Sequence, residues 1–263
     1  MLIANRPETS TFQLGKVTIP YVEHGKPDGR LPLVLFNGIS MDENHWGKFP
    51  EALNRHVFAM GFPIGGNPFY VPSIRYYARQ MERALPSVIQ GNEFDGLGLS
   101  WGGLLVQGVR KGMRKRVIAA SLPAAASLCI KPNIPDSKAL RVVASTKRQP
   151  EDVADLYGGD IRANPELLKD LPIDRHINAL RHMRQQFAAM TSGYLMLQNM
   201  ITTNMPPTMV MAGTDDPLMR YPCVRGAAEW IGADLATIEN GGHGFLLTRP
   251  EESAKIVNEF LDS

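Results

Sequence analysis

The sequence predicts an α/β fold, in which a mostly parallel sheet is flanked by helices. Short apolar runs alternate with helical patterns over most of the chain, which is typical of such sheets. One apolar run, Phe94–Leu99, leads directly into a serine between glycines and then into a new helical pattern. The alternation stops from about residue 126 to 205, where prolines separate helical patterns and no good strand run occurs. We therefore expect a core of residues 1–125 and 206–263, with residues 126–205 as a helical cap or lid.

The strands are predicted from apolar runs that end at turn-forming residues. An N-terminal hairpin is expected from Thr11–Gly15 and Lys16–His24, because turn residues separate two extended patterns. Further strands are expected at six apolar runs, of which the first is predicted to be buried. These strands are Leu31–Phe36, His56–Phe62, Phe94–Leu99, Arg116–Leu122, Thr208–Ala212 and Asp234–Ile238.

The helices are predicted from apolar residues spaced three and four positions apart. The expected core helices are Glu43–Asn54, Ile74–Ile89 with Pro86 as an irregularity, Trp101–Arg114 and Pro250–Leu261. Thr248 and Glu251 fit a capping box at the last of these helices. In the predicted cap, one apolar stripe runs through Leu180, Met183, Phe187, Met190, Tyr194 and Leu197. Packing of this stripe onto the core is the favoured interpretation, and a flexible apolar pocket lined by its methionines is the alternative.

Composition excludes several classes of function. The 263 residues contain 28 basic and 26 acidic side chains, so the formal charge of 28 − 26 = +2 gives no case for nucleic acid as a partner. Cys129 and Cys223 match no metal spacing, and we expect neither a metal nor another cofactor. The N-terminus has no secretory pattern. The longest apolar stretch, Val117–Ile130, is shorter than the roughly 20 residues of a membrane span. A cytoplasmic protein without a transmembrane segment is expected, and its oligomeric state is left open.

The sequence Gly98-Leu99-Ser100-Trp101-Gly102 matches the G-x-S-x-G pattern. In that pattern a sharp turn between strand and helix exposes the serine hydroxyl, and the glycines leave room for a crowded backbone. The N-terminus of the following helix then faces the position where negative charge develops. Ser100 is therefore the candidate nucleophile.

A serine hydroxyl needs a base, and the chain order expected on this scaffold is serine, then acid, then histidine. The strand run before Gly213 leads into Asp215 and Asp216, of which Asp216 is favoured and Asp215 is a turn residue. His243 follows in a glycine-rich loop and is the candidate base. The other histidines are assigned to strand edges, an early helix and a basic face of the cap; they are His24, His56, His45, His176 and His182.

Two backbone N–H groups are needed to stabilise an oxyanion. One is that of Trp101, directly after the serine, and the other is that of Ile39, in the loop after the first core strand. Gly61–Gly66 is interpreted as a tight turn beside the pocket, since no phosphate-loop signature follows. The basic run Arg110–Arg116 is interpreted mainly as cations at a helix C-terminus, with an anionic surface partner as the alternative.

These residues resemble the α/β-hydrolase family. Within it, LFNGIS (35–40), GLSWGG (98–103), LYGGDIRANPEL (156–167), AGTDDPL (212–218) and GHGFLLTRPEE (242–252) resemble the intracellular depolymerases of medium-chain-length poly(3-hydroxyalkanoates). The resemblance implies Ser100 as nucleophile, Asp216 as acid and His243 as base. Two positions depart from the family pattern: Gly61, where an acidic residue is expected, and Gly244, where a larger apolar residue is expected.

The sequence therefore predicts a serine hydrolase that cleaves carboxylic esters, with an ester substrate presented as soluble oligomers or as a polyester granule surface. A small-molecule esterase, a lactonase or a C–C-bond hydrolase on the same three residues is the first alternative. A binding module that has kept the fold without catalysis is the second alternative.

Overall fold

Nine strands form one twisted sheet in the part of the chain that the computed structural model describes, namely residues 8–39, 41–65, 73–123, 138, 157, 159–169 and 205–263. The strands are β1 Ser10–Leu14, β2 Val17–His24, β3 Leu33–Phe36, β4 Val57–Met60, β5 Ile64–Gly65, β6 Phe94–Leu99, β7 Arg114–Ala120, β8 Thr208–Gly213 and β9 Asp234–Ile238. Their spatial order is β1-β2-β4-β3-β6-β7-β8-β9, and β5 pairs with β2. The pairings from β4 through β9 are parallel, while β2 pairs antiparallel with β1, β4 and β5.

Helices cover both faces of this sheet, as expected for parallel strands whose residues are buried on both sides. Within the described ranges they are α1 Phe49–Ala52, α2 Ile74–Val88, α3 Trp101–Gly108, α4 Gly159–Ala163, α5 Tyr221–Ile231, α6 Phe245–Thr248 and α7 Pro250–Asp262. One apolar cluster joins α2, α3 and α5 to the sheet. The other cluster joins α1, α6 and α7 to the opposite face.

The register of β6 shows why this strand is buried along its whole length. Phe94 packs into the first apolar cluster, whereas Leu97 and Leu99 pack into the second. Every residue of β6 is buried, because β3 and β7 flank it in the sheet and helices cover both of its faces. This buried strand, paired on both sides, therefore positions Ser100 at the carboxyl edge of the sheet. This edge is where ligands bind in open α/β sheets.

Two predicted helices are shorter in the structure. The chain forms turns over residues 43–48, and helix α1 begins only at Phe49, with Pro50 in its first turn. The buried Trp46, Phe49 and Leu53 produce a helical spacing that extends beyond the helix itself. The helix after Ser100 ends at Gly108, because Val109 is extended at φ −69° and ψ 145°.

The interpretation of the basic run as the end of a helix is therefore wrong. Arg114 begins β7 and is only 3% exposed, whereas Lys115 is paired with Glu93 at 2.6 Å. The interpretation of Gly61–Gly66 as a plain turn is also wrong in part, since Ile64 and Gly65 pair with β2. The expected capping box is absent at α7: Arg249 is the N-cap residue, and no side chain caps the helix there.

The predicted cap lies between the end of β7 and the start of β8. Its described part consists of Lys138, Tyr157, helix α4 and a 3₁₀ turn over Pro165–Lys169. The apolar stripe from Leu180 to Leu197, together with His176, His182 and Cys129, lies outside the described residues. Tyr157 and Ile161 are buried in the second apolar cluster, so this segment packs on the core.

Candidate active site

Ser100 occupies a strained turn between β6 and α3. Its backbone lies at φ 54° and ψ −122°, a conformation that costs a non-glycine residue about 1–3 kcal/mol. The Ser100 N–H donates to the Ala120 carbonyl at 2.7 Å, and its carbonyl accepts from the Gly103 N–H at 2.8 Å. A Cβ on Gly98 would overlap the Gly102 carbonyl, and a Cβ on Gly102 would lie 2.8 Å from the Asn37 carbonyl oxygen. The close approach of three backbone segments therefore requires both glycines of the motif.

The structure brings His243 and Asp216 together. The His243 Nδ1 atom lies 2.9 Å from Asp216 Oδ2 and 3.1 Å from Oδ1. The Asp216 side chain is 1% exposed, and its Oδ1 accepts the N–H groups of Leu218 and Met219, each at 2.8 Å. These two amide bonds orient the carboxylate toward the imidazole. Asp215 is exposed, and its N–H donates to the Gly241 carbonyl at 3.0 Å, so it has the role of a turn residue.

The loops that carry Asp216 and His243 pack backbone against backbone. A Cβ on Gly213, the last residue of β8, would overlap the Gly241 carbonyl and lie 3.0 Å from the Gly242 carbonyl oxygen. The Thr214 Oγ1 accepts the Asn240 N–H at 2.7 Å, and the Thr214 N–H donates to the Ile238 carbonyl at 3.0 Å. The end of β8 and the loop after β9 therefore form one unit at the carboxyl edge.

Ser121 links the histidine loop to the strand beside Ser100, and sequence reasoning missed this role. The residue is fully buried at φ 47°, and its N–H donates to the Met211 carbonyl at 2.9 Å. Its Oγ donates to the His243 carbonyl at 3.3 Å. Ser100 is hydrogen-bonded to Ala120, the last residue of β7, and the histidine loop is hydrogen-bonded to Ser121, which directly follows it. No signal in the sequence marks this role, because Ser121 falls inside the predicted strand Arg116–Leu122.

The loop after β3 lies against the serine. A Cβ on Gly38 would lie 3.6 Å from Ser100 Cβ and 3.3 Å from the Leu99 carbonyl oxygen. The Asn37 Oδ1 accepts the indole N–H of Trp46 at 2.7 Å, which holds the loop. Within the described residues, neither the Ile39 nor the Trp101 N–H donates to a backbone carbonyl. These two N–H groups are therefore not used in the backbone hydrogen bonds of the described residues, and Ile39 directly follows the glycine that lies against Ser100.

Other side chains fill the space at the two positions that depart from the family pattern. A Cβ on Gly61 would lie 2.6 Å from Glu43 Oε2, so a buried carboxylate from another loop already occupies this place. A Cβ on Gly244 would overlap the Tyr157 ring and lie 3.2 Å from its Cγ. Burial raises the pKa of Tyr157 above its ordinary value, so the phenol remains neutral.

No grouping of His, Cys, Asp and Glu suited to a metal ion occurs among the residues that the structure describes. His24 ends β2, and His56 precedes β4 with its Nε2 2.7 Å from Glu23 Oε1. His45 lies in the turns of residues 43–48, rather than in a helix, with its Nδ1 2.9 Å from Asp42 Oδ1. These three histidines therefore have structural surroundings of their own.

The model of the alpha/beta hydrolase family matches residues 33–256, and the chain belongs to that family. The sequence is 31% identical over 259 residues to a poly(3-hydroxyalkanoate) depolymerase of Ectopseudomonas oleovorans, which covers 91% of this chain and 87% of the relative. The sequence-based resemblance to these depolymerases is thereby confirmed.

Solved structures confirm the predicted fold. The esterase RhEst1 from Rhodococcus sp. ECU1013 superposes with a TM-score of 0.76 at 15% identity, covering 98% of this chain and 99% of that one. A meta-cleavage product hydrolase from Pseudomonas fluorescens IP01 gives a TM-score of 0.71 at 16% identity, covering 94% of both chains. In the described ranges, none of the helices combines the length and the apolar character needed to cross a membrane.

Proposed function

We propose that this protein is a serine ester hydrolase whose substrates are esters of 3-hydroxyalkanoic acids, as in the related depolymerase. The observation that carries the proposal is the pairing of the His243 imidazole with the buried Asp216 carboxylate at 2.9 Å. This pair lies at the sheet edge where Ser100 projects from its strained turn. The 31% identity to a poly(3-hydroxyalkanoate) depolymerase supports the class of substrate.

The pairing explains how Ser100 becomes a nucleophile. Because Nδ1 faces the Asp216 carboxylate, the proton of neutral His243 is held on Nδ1 and the lone pair is left on Nε2. Nε2 takes the hydroxyl proton as Ser100 Oγ forms a bond to the ester carbonyl carbon. Asp216 stabilises the resulting imidazolium and does not itself become protonated.

The remaining steps use the same groups. The oxyanion accepts hydrogen bonds from the N–H groups of Ile39 and Trp101. As the bond between the carbonyl carbon and the alcohol oxygen breaks, His243 gives its proton to the leaving alcohol. A water molecule, deprotonated by His243, then attacks the acyl-enzyme, and Ser100 regains its proton when the acid leaves.

The substrate side of the proposal rests on the cap. We propose that residues 126–205 form a helical cap whose apolar residues contact the alkyl side chain of a medium-chain 3-hydroxyacyl ester. The burial of Tyr157 and Ile161 in the second apolar cluster, and the contact of the Tyr157 ring with Gly244, support this proposal. The substrate is either soluble oligomers or the surface of a cytoplasmic polyester granule.

Labelling with a fluorophosphonate probe tests the nucleophile. We expect wild-type protein to be labelled, Ser100→Ala to remain unlabelled, and the control Ser87→Ala, which changes an exposed serine of α2, to be labelled like wild type. Equal labelling of Ser100→Ala and wild type would refute Ser100 as the nucleophile. If wild type is not labelled, a binding module without catalysis becomes the better explanation.

Product analysis tests the substrate class. Purified protein should release 3-hydroxy acids from medium-chain polyester, and Ser100→Ala should release none. Rapid cleavage of short esters without any release from polyester would favour a small-molecule esterase. The pH dependence tests the base: activity should fall on acidification, because protonated His243 cannot accept the serine proton. A flat profile from pH 5 to 8 contradicts His243 in this role.

A further inference from the structure

We propose that Asp160, in the segment predicted to belong to the cap, is a positioning residue for His243. The inference rests on the proposed function and assigns a role to a buried carboxylate that the catalytic steps do not use. Asp160 is the second residue of helix α4, and its side chain is 3% exposed. A buried carboxylate is retained at little energetic cost only where charge partners and hydrogen-bond donors satisfy it.

Within the described ranges, the donors to the Asp160 carboxylate come from the loop of His243 and from the residues that follow it. Oδ2 accepts the Thr248 hydroxyl at 2.7 Å and the Gly242 N–H at 3.4 Å. Oδ1 accepts the Arg249 Nε–H at 2.7 Å. Gly242 directly precedes His243, so the carboxylate holds the backbone one residue before the imidazole.

Tyr157 and Arg249 complete the enclosure of the loop. The Tyr157 ring packs against Gly244, one residue after His243, so closely that no Cβ fits between them. The Arg249 Nη1 donates to the Glu239 carbonyl at 2.8 Å, so the same guanidinium joins the start of the loop to Asp160. Tyr157 and Asp160 therefore contact the two neighbours of His243, and Arg249 connects Asp160 to the start of the loop.

Asp160 and Arg249 also carry opposite charges, and each contacts the backbone of the loop that holds His243. Among the described residues, the other charged groups on the packed elements include Asp216, paired with Nδ1, and the exposed Asp215, Glu239, Glu251 and Glu252. With both partners present, the two charges are paired with each other. Removing one charge leaves the other uncompensated, so the two removals must have opposite effects on the imidazolium.

This opposition distinguishes positioning from a merely structural role. Asp160→Asn should lower the midpoint pH at which His243 titrates, because Arg249 is left unpaired. Arg249→Gln should raise that midpoint, because Asp160 is left unpaired. The double variant should return close to the wild-type midpoint. Thr248→Val, which removes one hydrogen bond without changing a charge, should not move it.

The experiment combines two readouts on the full chain. NMR titration of the His243 ring nitrogens gives the midpoint whether or not the protein is active. Steady-state kinetics on a soluble ester should show kcat about 10–100-fold lower in Asp160→Asn, with KM within about twofold, as expected for a misplaced catalytic group. Asp28→Asn, which breaks an exposed Asp–Arg pair remote from the carboxyl edge, is the matched control and should match wild type in both readouts.

The outcomes separate this inference from the proposed function. Shifts of the same sign in Asp160→Asn and Arg249→Gln, or wild-type kcat in Asp160→Asn, would overturn the positioning role while Ser100 labelling remains intact. An inert wild type would instead overturn the proposed function, and the NMR titration would still decide whether Asp160 and Arg249 act on His243. If Asp160→Asn fails to fold, Arg249→Gln should still raise the midpoint while Thr248→Val leaves it unchanged, and an unchanged midpoint in Arg249→Gln would overturn the inference.

Discussion

Replacing Gly244 by alanine tests the contact between Tyr157 and the histidine loop. The added Cβ would overlap Cδ1 and Cε1 of the Tyr157 ring, which has to move by about 1 Å before those atoms reach a separation of 3.0 Å. Tyr157 is 4% exposed within the second apolar cluster, so its ring has little free space to enter. Overpacking of this kind typically destabilises a protein by about 1–3 kcal/mol.

Thermal unfolding provides the assay. For a chain of this size, each kcal/mol lowers Tm by about 2–4 °C, so Gly244→Ala should lower Tm by about 2–12 °C. The control is Gly226→Ala in α5, where a Cβ meets nothing within 4 Å; this variant should be neutral or slightly stabilising.

A double-mutant cycle isolates the contact itself. In a Tyr157→Ala background the ring is absent, so Gly244→Ala should become almost neutral, with a coupling free energy of about 1–3 kcal/mol. Strict additivity of the two substitutions, or a Gly244→Ala variant as stable as Gly226→Ala, would refute the claim that the tyrosine ring occupies the space at Gly244.

Three further predictions follow from other parts of the structure. Ile39→Pro removes a proposed oxyanion donor and should lower kcat about 100–1000-fold, whereas Ile39→Ala keeps the N–H and should not; similar kcat values in the two variants would contradict this assignment. Burial lowers the pKa of Arg114 to about 10, so at neutral pH its buried charge destabilises the fold. Arg114→Met should therefore raise the free energy of unfolding, measured with denaturant, by about 1–3 kcal/mol. This gain should shrink as the pH rises above 10. Burial also lowers the pKa of His24. On acidification below about pH 6.5, His24 therefore binds a proton more readily in the unfolded chain than in the folded one, and stability falls. His24→Gln should flatten the dependence of Tm on pH between 7 and 5, and an unchanged slope would exclude this contribution.

The parallel strands could be predicted because their signal is local. The strands β3, β4, β6 and β8 are buried at every position, so their sequences are mostly apolar, although β6 contains the buried Asp95. Helix lengths were less predictable, because Trp46 and Phe49 are spaced as in a helix although turns separate them. The position of Arg114 was also hard to predict, because its neighbours in sequence are basic. It nevertheless lies in the sheet, where β7 pairs with β6.

The surroundings of the histidine could not be predicted for a related reason. Asp160 meets Gly242 and Arg249 across 82 and 89 residues of sequence, and no local pattern marks such a contact. The conspicuous local feature was a capping pattern at Thr248, but that hydroxyl donates to Asp160 instead of capping α7. A tertiary partner with a full negative charge competes successfully with a helix cap that is worth about 1 kcal/mol.

Backbone strain gathers at the same edge of the sheet as the candidate site. Five described non-glycine residues have positive φ, and two of them, Asn54 and Gln90, follow helices, where a left-handed residue is common. The other three are Ser100, Ser121 and Asn240, which follow the carboxyl ends of β6, β7 and β9. A glycine at any of these three positions would relieve the strain. At Ser121 the side chain itself bonds the His243 carbonyl, so relief of the strain would remove a contact to the histidine loop. At this edge of the sheet, the placement of side chains therefore outweighs the local conformational preference of the backbone.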